Sequence, residues 1–308
     1  MRTLNHILSV ALFGLVILVL PGCNQTPSQA TFATPEQAAA ALQQALKADS
    51  LEKLQAIFGR ESVAAVASGD AVSDRHDREV VALAMDQSWQ WVPRGDNARE
   101  LIIGDQQWPF PIPLVKSDNG WQFDSETGKE EILARRIGAN ELAVIGLCRD
   151  YVRAQKEYAS QPHDGKPAGL FAQRFRSSPG RQDGLFWGRQ RWEKRSPLDE
   201  LVTAAVEEGY DPNRPDASPF QGYRFRILTA QGPAAPGGKK SYLAEGDMSG
   251  GFALLAYPVK YGFSGIMTFM VGPDGLVYQK DLGEDTLAQA SHLIEFNPDA
   301  SWTAVKEP

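Results

Sequence analysis

The 308-residue chain carries 38 acidic against 31 basic side chains, giving a formal net charge of -7 and a pI near 5.3. That balance excludes a general nucleic-acid binder, which needs a basic stripe. With 43% hydrophobic and 22% charged residues the composition is that of a globular protein, and the length suits about two domains.

Residues 1–22 read as a signal peptide. Arg2 supplies a positive start, and 7–20 is apolar apart from Ser9 and Gly14. The run falls short of the roughly 20 apolar residues that span a bilayer and has the layout of an export signal. An ordinary signal peptide or a short anchor shares that layout. Leu20-Pro21-Gly22-Cys23 adds a cysteine directly at the cleavage point. This resembles the lipobox of bacterial lipoproteins and implies lipidation, with palmitate among the acyl groups, at Cys23. Asn24 follows where an Asp commonly signals inner-membrane retention, so the same resemblance implies the outer membrane, facing the periplasm. Residues 23–31 are polar and read as a tether.

The first folded unit is expected over 32–130. Thr34-Pro35-Glu36-Gln37 has an N-cap, a proline at the first helical position and a capping-box glutamine. Asp49 and Glu52 repeat the box before a second helix, and further helices are expected over 61–67 and 75–85. Strands follow from Trp89, with alternating Trp89 and Trp91 and a strand-like 100–103. Three alternating prolines in Trp108-Pro109-Phe110-Pro111-Ile112-Pro113 mark an edge or rim, because proline avoids central strands. Asp118-Asn119-Gly120 signals a hairpin.

The second unit is expected over 131–303. Helix periodicity covers 130–158, with an interruption expected at Gly138. A loop-rich 161–197, a short helix over 198–208 and strands over 223–228, 251–257, 266–271 and 276–279 follow, with Pro273-Asp274-Gly275 turning the last pair. The Gly/Pro stretch 232–238 reads as a long hairpin connection, without the ending of a phosphate loop. The expected fold class is α+β.

The segments Ser68-Gly69-Asp70-x-x-x-Asp74-Arg75-x-Asp77-Arg78-Glu79, Trp108-Pro109-Phe110-Pro111-Ile112-Pro113-Leu114-Val115, Arg136-Ile137-Gly138-x-Asn140-Glu141-Leu142, Pro179-Gly180-x-x-Asp183-Gly184-Leu185, Arg226-Ile227-Leu228-Thr229-Ala230-Gln231-Gly232-Pro233 and Ser264-Gly265-Ile266-Met267-Thr268-Phe269 resemble the bacterial family catalogued as domain of unknown function 2950. The N-terminal half also resembles the SnoaL-like superfamily, which implies cone-like helices on a curved antiparallel sheet. The C-terminal half resembles pilin-like globular domains, which implies a long helix followed by an antiparallel sheet. The turn Gln161-Pro162-His163-Asp164-Gly165-Lys166 holds one carboxylate where calcium needs six to eight oxygens, so no metal site is expected there. No cofactor is expected.

Three features are candidates for chemistry. Asp70, Asp74, His76 and Asp77 are a dense polar cluster; Asp74, His76 or Asp77 would serve as acid/base, or the cluster is a capped helix start with Ser73 or Asp74 as the cap and an Asp74–Arg78 pair. Trp108 and Phe110 either pack beneath the proline rim or bind a ligand. Arg181, Trp187 and Arg189 belong to a basic, aromatic stretch suited to anionic lipid headgroups or glycan polymers, or to a solvated loop. Cys148 lies among apolar neighbours at helical spacing and is expected to be a buried thiol. The expected function is a non-catalytic binding or assembly component of the cell envelope, contacting an envelope protein, a glycan or a small molecule and no nucleic acid. The rival is a small-molecule enzyme or binder using a pocket of the N-terminal cone.

Overall fold

The computed structural model describes residues 29–65, 67–187, 195–208 and 219–306. Its α+β architecture begins at Gln29, whose side-chain amide donates to the carbonyls of Phe123 at 2.6 Å and Ile57 at 2.9 Å. Helix α1 (Pro35–Lys47) starts where the sequence predicts, with Thr34 Oγ1 accepting the Gln37 N–H at 3.3 Å. Helix α2 (Leu51–Phe58) is capped by Ser50 rather than Asp49, Ser50 Oγ accepting the Lys53 N–H. Asp49 instead turns the chain with a left-handed φ of 44°, which a short polar side chain tolerates. Helix α3 (Arg60–Ala65) is short. Helix α4 (Ala71–Gln87) starts four residues before the predicted 75–85, because its cap is Asp70 and not Ser73 or Asp74.

Strands β1 (Trp89–Pro93), β2 (Ala98–Ile103), β3 (Trp108–Pro109), β4 (Leu114–Ser117) and β5 (Gly120–Phe123) form an antiparallel sheet. Its order is β1-β2-β4-β5, with β3 paired to β2. The predicted hairpin sets Ser117 opposite Gly120 and Leu114 opposite Phe123. Helices α1 and α2 pack on β5, and α4 packs on β1 and β2. Leu42, Phe58, Met85, Leu101, Ile103, Leu114 and Phe123 form the centre of this first core. Removing each such side chain from water contributes roughly 1.5–3 kcal/mol.

Helix α5 (Ser125–Ala159) runs 35 residues. It begins earlier than the 130–158 expectation because Asp124 caps it, accepting the Thr127 N–H at 3.2 Å. It passes through Gly138 without interruption; nothing crowds that glycine, so only its weak helix propensity, about 1 kcal/mol against Ala, acts on the helix there. Its buried stripe is Val144, Cys148, Tyr151, Val152, Gln155 and Tyr158.

After α6 (Asp199–Glu208) come β6 (Tyr223–Leu228), β7 (Ala230–Gln231), β8 (Lys240–Ser241), β9 (Leu243–Ala244), β10 (Asp247–Met248), β11 (Ala253–Pro258), β12 (Met267–Val271), β13 (Val277–Asp281), α7 (Thr286–His292) and β14 (Thr303–Ala304). The second sheet is antiparallel in the order β14-β13-β12-β11-β6, and α5 packs on β11, β12 and β13. The pair β7–β8 is the expected connection around 232–238, and β9 pairs with β10. Cys148, Tyr223, Phe252, Leu254, Phe269 and Phe296 lie at the centre of the second core. Arg226 fastens α7 to this sheet by donating to the carbonyls of Ala290 and Leu293 at the helix's C-terminal end. Among the described residues no helix is long and apolar enough to cross a membrane.

Cys148 is fully buried, and burial pushes its thiol up to about 12 against the weak opposing pull of Arg149. Its thiolate is therefore negligible at neutral pH. Cys148→Ala should cost about 1 kcal/mol or more through lost packing, seen as a lowered unfolding midpoint. The native protein should resist a thiol reagent until it is unfolded; rapid labelling in the folded state would contradict the buried assignment.

Candidate functional site

The acidic cluster binds the two cores together. Asp70 Oδ1 accepts the N–H groups of Val72 at 3.1 Å and Ser73 at 3.2 Å, two of the donors that a helix start leaves without an intrahelical partner. Asp70 Oδ2 accepts the Gly222 N–H at 3.2 Å, at the entry to β6. Gly222 sits at φ 70°, and a Cβ there would stand 2.8 Å from both Asn140 Nδ2 and Ser264 Cβ. Only glycine fits that conformation and approach. Asn140 donates to the Ser264 carbonyl at 2.9 Å, and Glu141 Oε1 accepts the N–H groups of Ile266 and Met267, each at 2.9 Å.

Asp74 accepts the Ser68 N–H and pairs with Arg136 at 3.3 Å, and Arg136 also reaches Asp77 at 3.5 Å. The expected Asp74–Arg78 pair does not form. Arg78 donates instead to the Asp74 carbonyl at 2.8 Å and to Asp49 at 2.7 Å. Burial and then Asp74 push the half-exposed Asp77 carboxyl above the ordinary range, against Arg136. His76 is exposed on α4.

The aromatic candidates separate. Phe110 is in the first core, stacked on Phe58 and edge-on to Phe123. Trp108 is exposed at the proline rim, with the Arg135 guanidinium 4.8 Å above its ring. Its strand β3 pairs only with β2, the edge position that the prolines require. Cys23 and Arg189 lie outside the described residues.

Arg181 lines a pocket at the C-terminal end of α5, whereas Trp187 is buried in the second core. The cavity measures about 180 Å³ and lies between α5, the 163–183 segment and β10. That segment has little regular pairing, so buried side chains hold it. Gln155 accepts the Ala172 N–H and donates to the Ala172 carbonyl, both at 2.8 Å, supplying with one amide what a strand neighbour would supply. Gly184 lets the loop fold back, since a Cβ there would be 2.7 Å from the backbone at Arg176 and Ser177. His163 stacks on Tyr158 at 4.0 Å and 15°, and Trp187 lies 5.5 Å from the His163 ring.

Charged side chains of both signs line the cavity. Arg181 reaches Asp164 at 3.4 Å and Asp183 at 3.8 Å; Arg174 reaches Asp183 at 3.8 Å; Lys166 pairs with Asp247. Asp183 also accepts the Ser178 N–H at 2.7 Å and the Ser178 hydroxyl at 2.9 Å. Burial works against its ionisation, but Ser178 and the two arginines outweigh it and hold the carboxyl below the ordinary range. Burial first, then Asp164 and Asp183, pushes the Tyr158 phenol up to about 12. Sequence reasoning found Arg181 through the mixture of basic and aromatic residues. It missed Lys166, Gln173, Asp183 and Asp247 as members of one site, because they come from separate turns. Among the described residues no three His, Cys, Asp or Glu side chains are grouped to hold a metal ion.

A family model described as "Protein of unknown function (DUF2950)" matches residues 29–305. The chain belongs to this family. The DUF2950 match covers both cores, the polar seam between them and the pocket. No curated protein matches the chain, and no solved structure matches it. The SnoaL-like and pilin-like resemblances of the halves therefore stand on the sequence.

The folded-state pKa of Asp183 lies below the unfolded value, so its contribution is full above the ordinary carboxylate range and is lost as pH falls through the folded pKa. Asp183→Asn should lower the melting temperature near neutral pH, and the deficit should shrink towards about pH 3, below the unperturbed Asp value. A deficit of the same size at both ends of a melting series would contradict this account.

Proposed function

We propose that this DUF2950 chain is an exported lipoprotein, anchored at the outer membrane through Cys23 with its folded part in the periplasm. Its role is that of a non-catalytic binding component of the envelope. The address is supported by the charged start, the apolar 7–20 run and the cysteine at the cleavage point. The binding reading is carried by one observation: the pocket at the end of α5 matches its charges with one another, Asp183 being held as a carboxylate and Tyr158 as a phenol across the neutral range. Groups whose pKa values are pushed away from neutrality are poorly suited to acid/base work there. The two hydrophobic clusters support two folding units, 32–130 and 131–303, that share α5.

A second reading, a small-molecule enzyme or binder working at α4, draws support from Asp77, whose raised carboxyl is the kind of group a general acid uses. Against it, Asp74 is already engaged by Ser68 and Arg136.

Cys23→Ala should move the protein from the membrane pellet to the soluble fraction, since stable anchoring takes more than one acyl chain and the variant would carry none. Its retention in the pellet after a high-salt wash would refute the lipid anchor. For the site, a small-molecule extract of envelopes added to the purified protein should shift the resonances of Arg174, Arg181 and Tyr158. Shifts at His76 and Asp77 instead would favour the α4 reading.

A further inference from the structure

We infer that the pocket at the end of α5 takes a carboxylate-bearing sugar residue, a single pyranose ring with one acid group. This rests on the pocket being the binding site. Three observations carry it. First, the cations stand outward of the anions: the side chains of Lys166, Arg174 and Arg181 are 53%, 55% and 56% exposed, against 24% to 34% for Asp164, Asp183 and Asp247. The aspartates are partly used up inside the wall, with Asp164 accepting the Gln182 N–H at 3.0 Å and Asp183 held by Ser178. Arg181 is nearest its two aspartates through Nε, at 3.4 and 3.8 Å, and among the described residues its Nη groups donate no hydrogen bond. A guanidinium held from behind by carboxylates, with its terminal edge unspent, fits a planar oxyanion in two parallel hydrogen bonds.

Second, the charges of the wall balance, three cations against three carboxylates. A singly charged carboxylate is better matched to that balance than a doubly charged phosphate, whose second charge would meet the aspartates. Third, the size and the mixed walls suit one hydroxylated ring. The volume of about 180 Å³ is close to the roughly 150 Å³ of a cavity that holds one benzene ring. Leu170 and Phe171 offer an apolar face, while Gln173 and Asp247 offer polar atoms to hydroxyl groups.

The test is a titration of the purified full protein, isotopically labelled, with glucuronate, glucose, inorganic phosphate and benzoate, each read by nuclear magnetic resonance. Glucuronate should shift Arg174, Arg181 and Phe171 and bind tighter than glucose by roughly tenfold or more, the worth of one charge-assisted hydrogen bond. Added salt should weaken it, since the cations are half exposed. Arg181→Gln, at an exposed side chain, should keep the melting temperature and lose that preference for glucuronate. Equal binding of glucose and glucuronate, or a preference for phosphate or benzoate, would overturn the carboxy-sugar assignment and leave the pocket as a binding site. No shift around the pocket with any of the four probes would overturn both.

Discussion

One carboxylate, that of Asp70, joins the two halves of this protein. With one oxygen it caps α4 of the first core, and with the other it accepts a backbone N–H at the start of the second sheet. A buried carboxylate is stable only when its lone pairs are filled, and here filling them requires both halves at once. Other bonds cross the same seam: Arg136 pairs with Asp74 at 3.3 Å and with Asp77 at 3.5 Å, and Lys260 reaches the Ala67 carbonyl at 3.4 Å. Three of the six segments that resemble the family, 68–79, 136–142 and 264–269, come together along this seam.

What was legible in the sequence was local. The cap at Thr34, the proline after it and the hairpin at 117–120 depend on neighbours a few residues away, and all three appear as expected. The cap of α4 is not legible locally, because Ser73 and Asp74 are equally good capping types. What selects Asp70 is its second bond to a residue 152 positions further on. The helix over 130–158 was expected to break at Gly138 on propensity alone. Tertiary contacts along α5 outweigh that small cost.

The site was half legible for the same reason. Basic and aromatic residues between 174 and 189 stand out by composition, and of these Arg181 lines the pocket while Trp187 is buried in the second core. The rest of the charged wall comes from the turn at 164–166 and from Asp247 on β10, where single charged residues carry no signal of their own. The loop that bears Arg174, Arg181 and Asp183 is fastened by Gln155 and Gly184, and neither residue type announces such a role. A loop tied by a side-chain amide offers no periodicity to read.

The length of α5 has a mechanical consequence. The described chain begins at Gln29, clamped to the carbonyls of Ile57 and Phe123 beside the first turn of that helix. The pocket opens at its last turn, around Tyr158. At about 1.5 Å of rise per residue the two points stand roughly 50 Å apart along the helix. The helix is thus a spar with residue 29 at its foot and the pocket at its tip. A pull on residue 29 would load the rod near its foot, some 33 residues from the turn that carries the pocket.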